Sequence, residues 1–165
     1  MHPVRAYGSG SRMWRKDVGE IFDNFNIVYE YPNGVTSNNT CTQIDGVRGD
    51  VTETIRGSKG TFTTTAGKGG TGIEGIRKRG DTETPMIYQY EGPPDLHYDQ
   101  EAQTFVESVL GAGEHRDDTK YGMESTLTAI MGREAAYRKE IIEWDKFWKS
   151  NDRLSFRPDM VRMQR

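Results

Sequence analysis

Apolar and polar residues alternate along the first part of the chain and take on helical spacing in the last part. Val4 to Arg12 alternates weakly and is dotted with glycine. Asn24 to Tyr31 alternates well, with Phe25, Ile27 or Val28, Tyr29 and Tyr31 as strand formers. Pro32-Asn33-Gly34 reads as a turn in which Asn-Gly supplies positive φ angles, and Val35 to Ile44 as the returning strand. Val51 to Arg56 and Thr61 to Thr65 form a second hairpin around Gly57-Ser58-Lys59-Gly60, and Met86 to Tyr90 is a further strand. Ala102, Phe105, Val106, Val109 and Leu110 then fall on one face of a helix capped by Asp99 and ended by Gly111 and Gly113. A second helix, capped by Asp117 or Asp118, runs to about Lys139 with the stripe Met123, Leu127, Ile130, Met131 and Ala135. Gly122 and Gly132 each weaken it by about 1 kcal/mol unless close packing requires them. Ile141 to Trp144 is a short β-like piece, and Asp145 caps a final turn holding Phe147 and Trp148. Strands first and helices afterwards predict an α+β fold rather than a doubly wound α/β fold. Consecutive hairpins predict an antiparallel sheet, and its many Thr and Asn residues suit a face that is wet or covered by a partner chain. One domain over residues 1–150 and a polar tail over 151–165 complete the expected organisation.

Composition narrows the function classes. At 165 residues with 33% hydrophobic and 28% charged residues, the chain is polar but long enough for one core. A net charge of −3 with mixed signs lacks the basic footprint of a nucleic-acid binder. No apolar run is long enough for a membrane span, and the opening Met1 to Arg5 carries no signal-peptide core. The compartment, cytoplasmic or periplasmic, stays open. Cys41 is the only cysteine, so no intrachain disulfide or cysteine zinc site is encoded.

Candidate chemistry is sparse. Gly67-Lys68-Gly69-Gly70-Thr71-Gly72 matches G-x-G-x-x-G, with Glu91 downstream in the place of a ribose-binding acid. That motif works only where a helix begins at the third glycine and offers its free N–H groups to a pyrophosphate. The residues that follow, rich in Gly and Thr and ending in Pro85, are poor helix formers, so a glycine-rich hairpin tip is the expectation. Gly57 to Gly60 resembles a phosphate loop in miniature but lacks the rest of one. His2, His97 and His115 have no second ligand at metal spacing. His97-Tyr98, just before the first long helix, can face a cleft. Asp117-Asp118 and Asp81 with Glu83 are carboxylate clusters, read more simply as caps and turns than as a glycosidase pair. No G-x-S-x-G is present.

Several segments, in order, resemble the C-terminal domain of Gfo/Idh/MocA-type oxidoreductases. HPVRAYGSGSR is similar to that family's H-P-V-x-A-x-G-x-G-G-R strand, and IFDNFNIVYEYPNGV to the strand and hairpin after it. VTETIRGSKGTF is similar to its G-T-K-G-T turn, and HYDQEAQTFVESVLGAGEHRDD to its Y-x-x-E-H-x-x-F helix. YGMESTLTAIMGREAAYRKEIIEWDKF is similar to its S-T-x-x-A-I-x-G-R-x-A-x-Y helix and I-x-W-D segment. The likeness runs from His2 to about Trp148. It implies an open, mainly antiparallel sheet with helices on one face, of the glyceraldehyde-3-phosphate-dehydrogenase-like C-terminal type, whose other face packs on a second subunit. It also implies a separate Rossmann domain binding NAD or NADP, and hydride transfer to or from a carbon–oxygen bond of a sugar, polyol or related molecule. Some relatives cleave glycosides through an oxidise–eliminate–reduce cycle on bound NAD.

On this resemblance, the Rossmann domain, the E-K-P lysine and the helix bearing the catalytic His and Asp are outside this sequence. His2 matches the H-P of the strand and not that histidine. Ser11 stands in place of the second Gly of G-G-R, and Ala102 in place of the His of E-H. Arg12 matches the arginine of G-G-R and Tyr98 the tyrosine of Y-x-x-E. With His97 they are the expected substrate contacts, while catalytic, cofactor and metal residues are expected to be absent. The expected function is the substrate-binding and oligomerisation half of a sugar- or polyol-type dehydrogenase, inactive alone. Its expected partners are a second copy, the missing Rossmann domain or a split-gene partner, and a sugar-like molecule, with no nucleic acid and no membrane. The alternative is a stand-alone, non-catalytic dimerising or binding module. A third reading is a dinucleotide binder built on Gly67 to Gly72.

Overall fold

The computed structural model describes residues 1–16, 19–46, 51–65, 72–76, 78, 80–91, 97–115 and 117–150. In chain order the elements are β1 (Arg5–Ser11), β2 (Asn24–Glu30), β3 (Thr36–Thr42), β4 (Thr52–Gly57), β5 (Gly60–Thr65), β6 (Gly72–Gly75) and β7 (Met86–Gln89). They continue as α1 (His97–Val109), α2 (Thr119–Arg138), β8 (Ile142–Glu143) and α3 (Trp144–Ser150). The fold is α+β and every strand pair is antiparallel. The strands lie in two four-stranded sheets, ordered β3-β2-β1-β8 and β4-β5-β6-β7. The first sheet, α2 and α3 form one compact unit, made from residues 1–46 and 117–150, and the second sheet and α1 belong to another. The tail expected over 151–165 lies outside the described residues.

In the first unit, register decides the core. Ala6 stands opposite Tyr29 and Ile142, Gly8 opposite Ile27, and Gly10 opposite Phe25, so these positions share one face of the sheet. Ala6, Ile27, Tyr29 and Ile142 are buried there with Met131, Ala135 and Ala136 of α2 and Trp144 of α3. The helical stripe is borne out at Leu127, Ile130, Met131 and Ala135, while Met123 stays exposed. The expected exception for a glycine in close packing applies to Gly132. A Cβ there would stand 2.8 Å from Tyr29 Cζ and 3.1 Å from Ile27 Cγ2. Gly122 has nothing nearby and keeps its propensity cost. The opposite face of the sheet is polar apart from the Tyr7–Val28 pair. Ser11 pairs with Asn24, Ser9 with Asn26 and Arg5 with Glu30, the last as an ion pair.

Turn and cap chemistry differs in detail from the sequence expectation. Only Gly34 of the Asn-Gly pair takes a positive φ, +79°. Gly34 N–H donates to the Tyr31 carbonyl at 3.0 Å and Tyr31 N–H to Val35 at 2.9 Å, which makes a three-residue loop with glycine in its left-handed position. Asp99 and Asp145 lie inside the first turns of α1 and α3 and are not their caps, because each helix starts one or two residues earlier. There they still complement the positive end of the helix. At the start of α2 the capping carboxylate is that of Asp117, which accepts from Thr119 N–H at 3.0 Å, while Asp118 makes no side-chain cap bond. Gly111, at φ +69°, ends α1 as expected.

In the second unit Ile55, Phe62, Ile73 and Tyr88 stand opposite one another across β4 to β7, giving one apolar row. Ile55 and Tyr88 are exposed. The α1 stripe is exposed throughout, Phe105 by 69% and Leu110 by 75%. Among the described residues no helix is long and apolar enough to cross a membrane.

Candidate functional site

The strongest site geometry gathers where β1 ends and β2 begins. After Ser11 the chain leaves the sheet, and Asp23, almost fully buried, draws it back. The Asp23 carboxylate accepts three successive backbone N–H groups, from Met13 at 3.0 Å, Trp14 at 2.7 Å and Arg15 at 2.9 Å, and the Asn24 side-chain amide at 2.8 Å. A carboxylate so surrounded has its ionised form strongly favoured. The Arg15 N–H above all, then those of Met13 and Trp14 and the Asn24 amide, hold the Asp23 carboxyl far below the usual carboxylate range against the opposing effect of burial. The Asp23 carbonyl accepts from Gln43 N–H at 2.8 Å, and Asp23 N–H donates to the Ser11 carbonyl at 3.0 Å. One residue thus fixes the 13–15 loop, the end of β1 and the residue following β3.

A second clamp comes from α2. The Tyr137 hydroxyl accepts from Phe22 N–H at 3.0 Å and donates to the Glu20 carbonyl at 3.2 Å. Its ring stacks on Phe22 with centroids 4.1 Å apart. Arg12 donates through Nη1 to the Gly19 carbonyl, so part of its guanidinium holds the same loop. With the backbone drawn inward, the side chains of this run point outward. Met13, Trp14, Arg15 and Lys16, with Gln43 and Asp45, line an open concavity of about 690 Å³. Trp14 keeps 53% of its surface exposed.

Arg12, one of the expected substrate contacts, precedes this lining directly. His97 and Tyr98 lie in the first turn of α1, in the other unit, and not ahead of that helix. Tyr98 is exposed. His2 stacks on Trp144 with centroids 4.2 Å apart and its Nδ1 sits 3.2 Å from the Pro3 carbonyl, which gives it a packing role. A smaller open concavity of about 290 Å³ adjoins that stack. Asp81 closes a local turn, accepting from Lys78 N–H at 3.3 Å. Among the described residues no cluster of His, Cys, Asp and Glu is arranged to hold a metal.

At its described end the glycine-rich motif lacks the helix that a dinucleotide-binding loop needs. Its third glycine, Gly72, opens β6, which pairs with β5 and β7, so no free helix N-terminus follows it. The rest of the motif lies outside the described residues. Sequence reasoning did not single out Asp23, Trp14 or Gln43, and met Tyr137 only as the last residue of a helix motif. The available signal for Asp23 was an acid set between Phe22 and Phe25 at the start of an apolar strand.

No family model and no curated protein matches the chain. Solved structures do match its fold. Levoglucosan dehydrogenase in complex with NADH aligns with a TM-score of 0.66 at 16% identity, over 86% of this chain and 44% of that one. The WlbA dehydrogenase from Bordetella pertussis, in complex with NADH and UDP-GlcNAcA, aligns at 0.58 and 14% identity, over 86% and 39%. Aldose-aldose oxidoreductase from Caulobacter crescentus, complexed with glycerol, aligns at 0.63 and 18% identity, over 86% and 41%. Two of these neighbours are dehydrogenases complexed with NADH and the third is an oxidoreductase, and the chain spans less than half of their length. At such identities the likeness is one of fold, and it agrees with the fold implied by the sequence motifs.

Proposed function

We propose that this chain is the C-terminal, substrate-side half of a Gfo/Idh/MocA-type dehydrogenase acting on a sugar or polyol. Its nicotinamide cofactor, NAD or NADP, is bound by a nucleotide-binding half outside this sequence, and the chain alone is inactive. The observation that carries the reading is the asymmetry of the alignments, which cover 86% of this chain but 44% of levoglucosan dehydrogenase. The ordered strand, turn and helix motifs from His2 to Trp148 support it. So does the poor fit of Gly72 to a pyrophosphate cradle. Arg12, which directly precedes the lining of the concavity, carries a guanidinium, a group suited to hydroxyls or a carboxylate. The same half carries the oligomer contact through sheet surface, a role that the apolar row Ile55, Phe62, Ile73 and Tyr88 supports.

Calorimetric titration of the purified chain with NAD, NADH and NADP tests the reading. No heat of binding is expected. Saturable binding that disappears in Gly69→Ala would overturn it, because the glycine-rich segment would then be a working nucleotide loop.

A further inference from the structure

We infer that the concavity at the end of β1 is a binding site for a sugar ring bearing an anionic group, stacked on Trp14 and anchored by Lys16. The inference rests on the sugar-side reading above for its ligand class, and on local geometry for its place.

The geometry is that of a preformed site. Both walls hang on Asp23, whose carboxylate fixes Met13, Trp14 and Arg15 and whose carbonyl fixes Gln43. Backbone tied down in this way presents its side chains with little ordering left to do on binding. The half-exposed Trp14 indole offers a broad apolar face beside polar groups, the combination in which a few placed hydrogen-bonding groups orient a ligand. A sugar ring has that same duality, with C–H groups on one face and hydroxyls around its edge. Asp45 accepts from hydroxyls, and the Gln43 amide both donates and accepts. Lys16 supplies a compact cation, which selects a ligand carrying a carboxylate or phosphate over a neutral one.

The test uses the whole chain uniformly labelled with nitrogen-15, so that the indoles of Trp14, Trp144 and Trp148 and the side-chain amide of Gln43 give separate NMR signals. Trp14→Phe assigns the Trp14 signal, and far-UV circular dichroism checks each variant's fold. D-glucuronate, D-glucose 6-phosphate and D-glucose are titrated in turn. Glucuronate and glucose 6-phosphate should shift the Trp14 signal alone, about tenfold more tightly than glucose. Which of the two binds better identifies the anionic group. Lys16→Gln should bring both most of the way down to the affinity of glucose, with Arg15 left as a second cation on the same wall. Trp14→Ala, followed on the Gln43 side-chain amide, should weaken binding about tenfold and Trp14→Phe much less. Equal affinity for glucose and the anionic sugars would overturn the anionic class. No shift with any sugar, in a folded chain that also ignores NAD, would overturn the site while leaving the substrate-half reading intact. NAD binding would overturn that reading instead.

Discussion

Tyr29 of β2 fills the space in which Gly132 of α2 would otherwise carry a methyl group. A Cβ at Gly132 would stand 2.8 Å from Tyr29 Cζ and closer still to its hydroxyl. The helix therefore lies against the sheet at a distance that only glycine permits, and the mid-helix glycine is explained by its neighbour.

Gly132→Ala should lower stability by about 1–2 kcal/mol, because overpacking outweighs a helix-propensity gain of about 1 kcal/mol. Tyr29→Phe in the same chain should recover part of that loss, and a double-mutant cycle in urea measures the coupling. Gly122→Ala, on the same helix with open space around it, should raise stability by about 1 kcal/mol. Equal effects at the two glycines would mean that Tyr29 does not set the helix position.

Asp23 predicts an acid limb in the stability profile. A carboxyl whose folded pKa lies below its unfolded value stabilises the fold while ionised. That contribution is whole above the unfolded value of about 3.9 and is lost as pH falls from there towards the folded value. Thermal melts from about pH 7 down to about pH 3 should show the loss setting in below about pH 4.5. Asp23→Asn should lower the melting temperature at neutral pH and flatten the acid limb. An unchanged acid limb in that variant would show that other carboxyls carry it.

Tyr137→Phe keeps the stack on Phe22 but removes the hydroxyl bonds to Phe22 N–H and the Glu20 carbonyl. The urea midpoint should fall by the equivalent of about 1 kcal/mol, with an unchanged slope. Amide exchange at residues 20 and 22 should quicken more than in β3. Uniform quickening across the first sheet would mean that the hydroxyl supports the whole unit and not this loop.

Self-association is expected from the proposed oligomer role. Sedimentation of the purified chain between about 1 and about 100 µM should show a concentration-dependent dimer. Ile55→Lys, at an exposed end of the apolar row, should shift it to monomer without changing the fold. A clean monomer throughout would remove the oligomer role.

The legible part of the fold was the local part. The hairpin at Pro32 to Gly34 and the stripe from Leu127 to Ala135 are written in neighbouring residues, so periodicity and turn chemistry suffice to place them. Helix starts were less legible: Asp99 and Asp145 are good caps by type, but His97 and Trp144 already belong to the helices. The strand over Gly72 to Gly75 was hidden by its glycines, and its edge is defined by β5 and β7 rather than by its own residues. The site suffered most. Arg12 was visible through its motif, whereas Asp23 acts on backbone groups eight to ten residues away, and no side-chain pattern records that.

The pairing of Ala6 with Ile142 has a consequence for how the protein is made. Strands β1 to β3 leave the ribosome early, yet their sheet lacks its fourth strand and its covering helix until α2 and β8 have been synthesised. In the interval Ala6, Ile27 and Tyr29 have no partner for their apolar face, and the edge of β1 that Ile142 will occupy is open. The sheet of the first unit is therefore completed only when translation delivers Ile142.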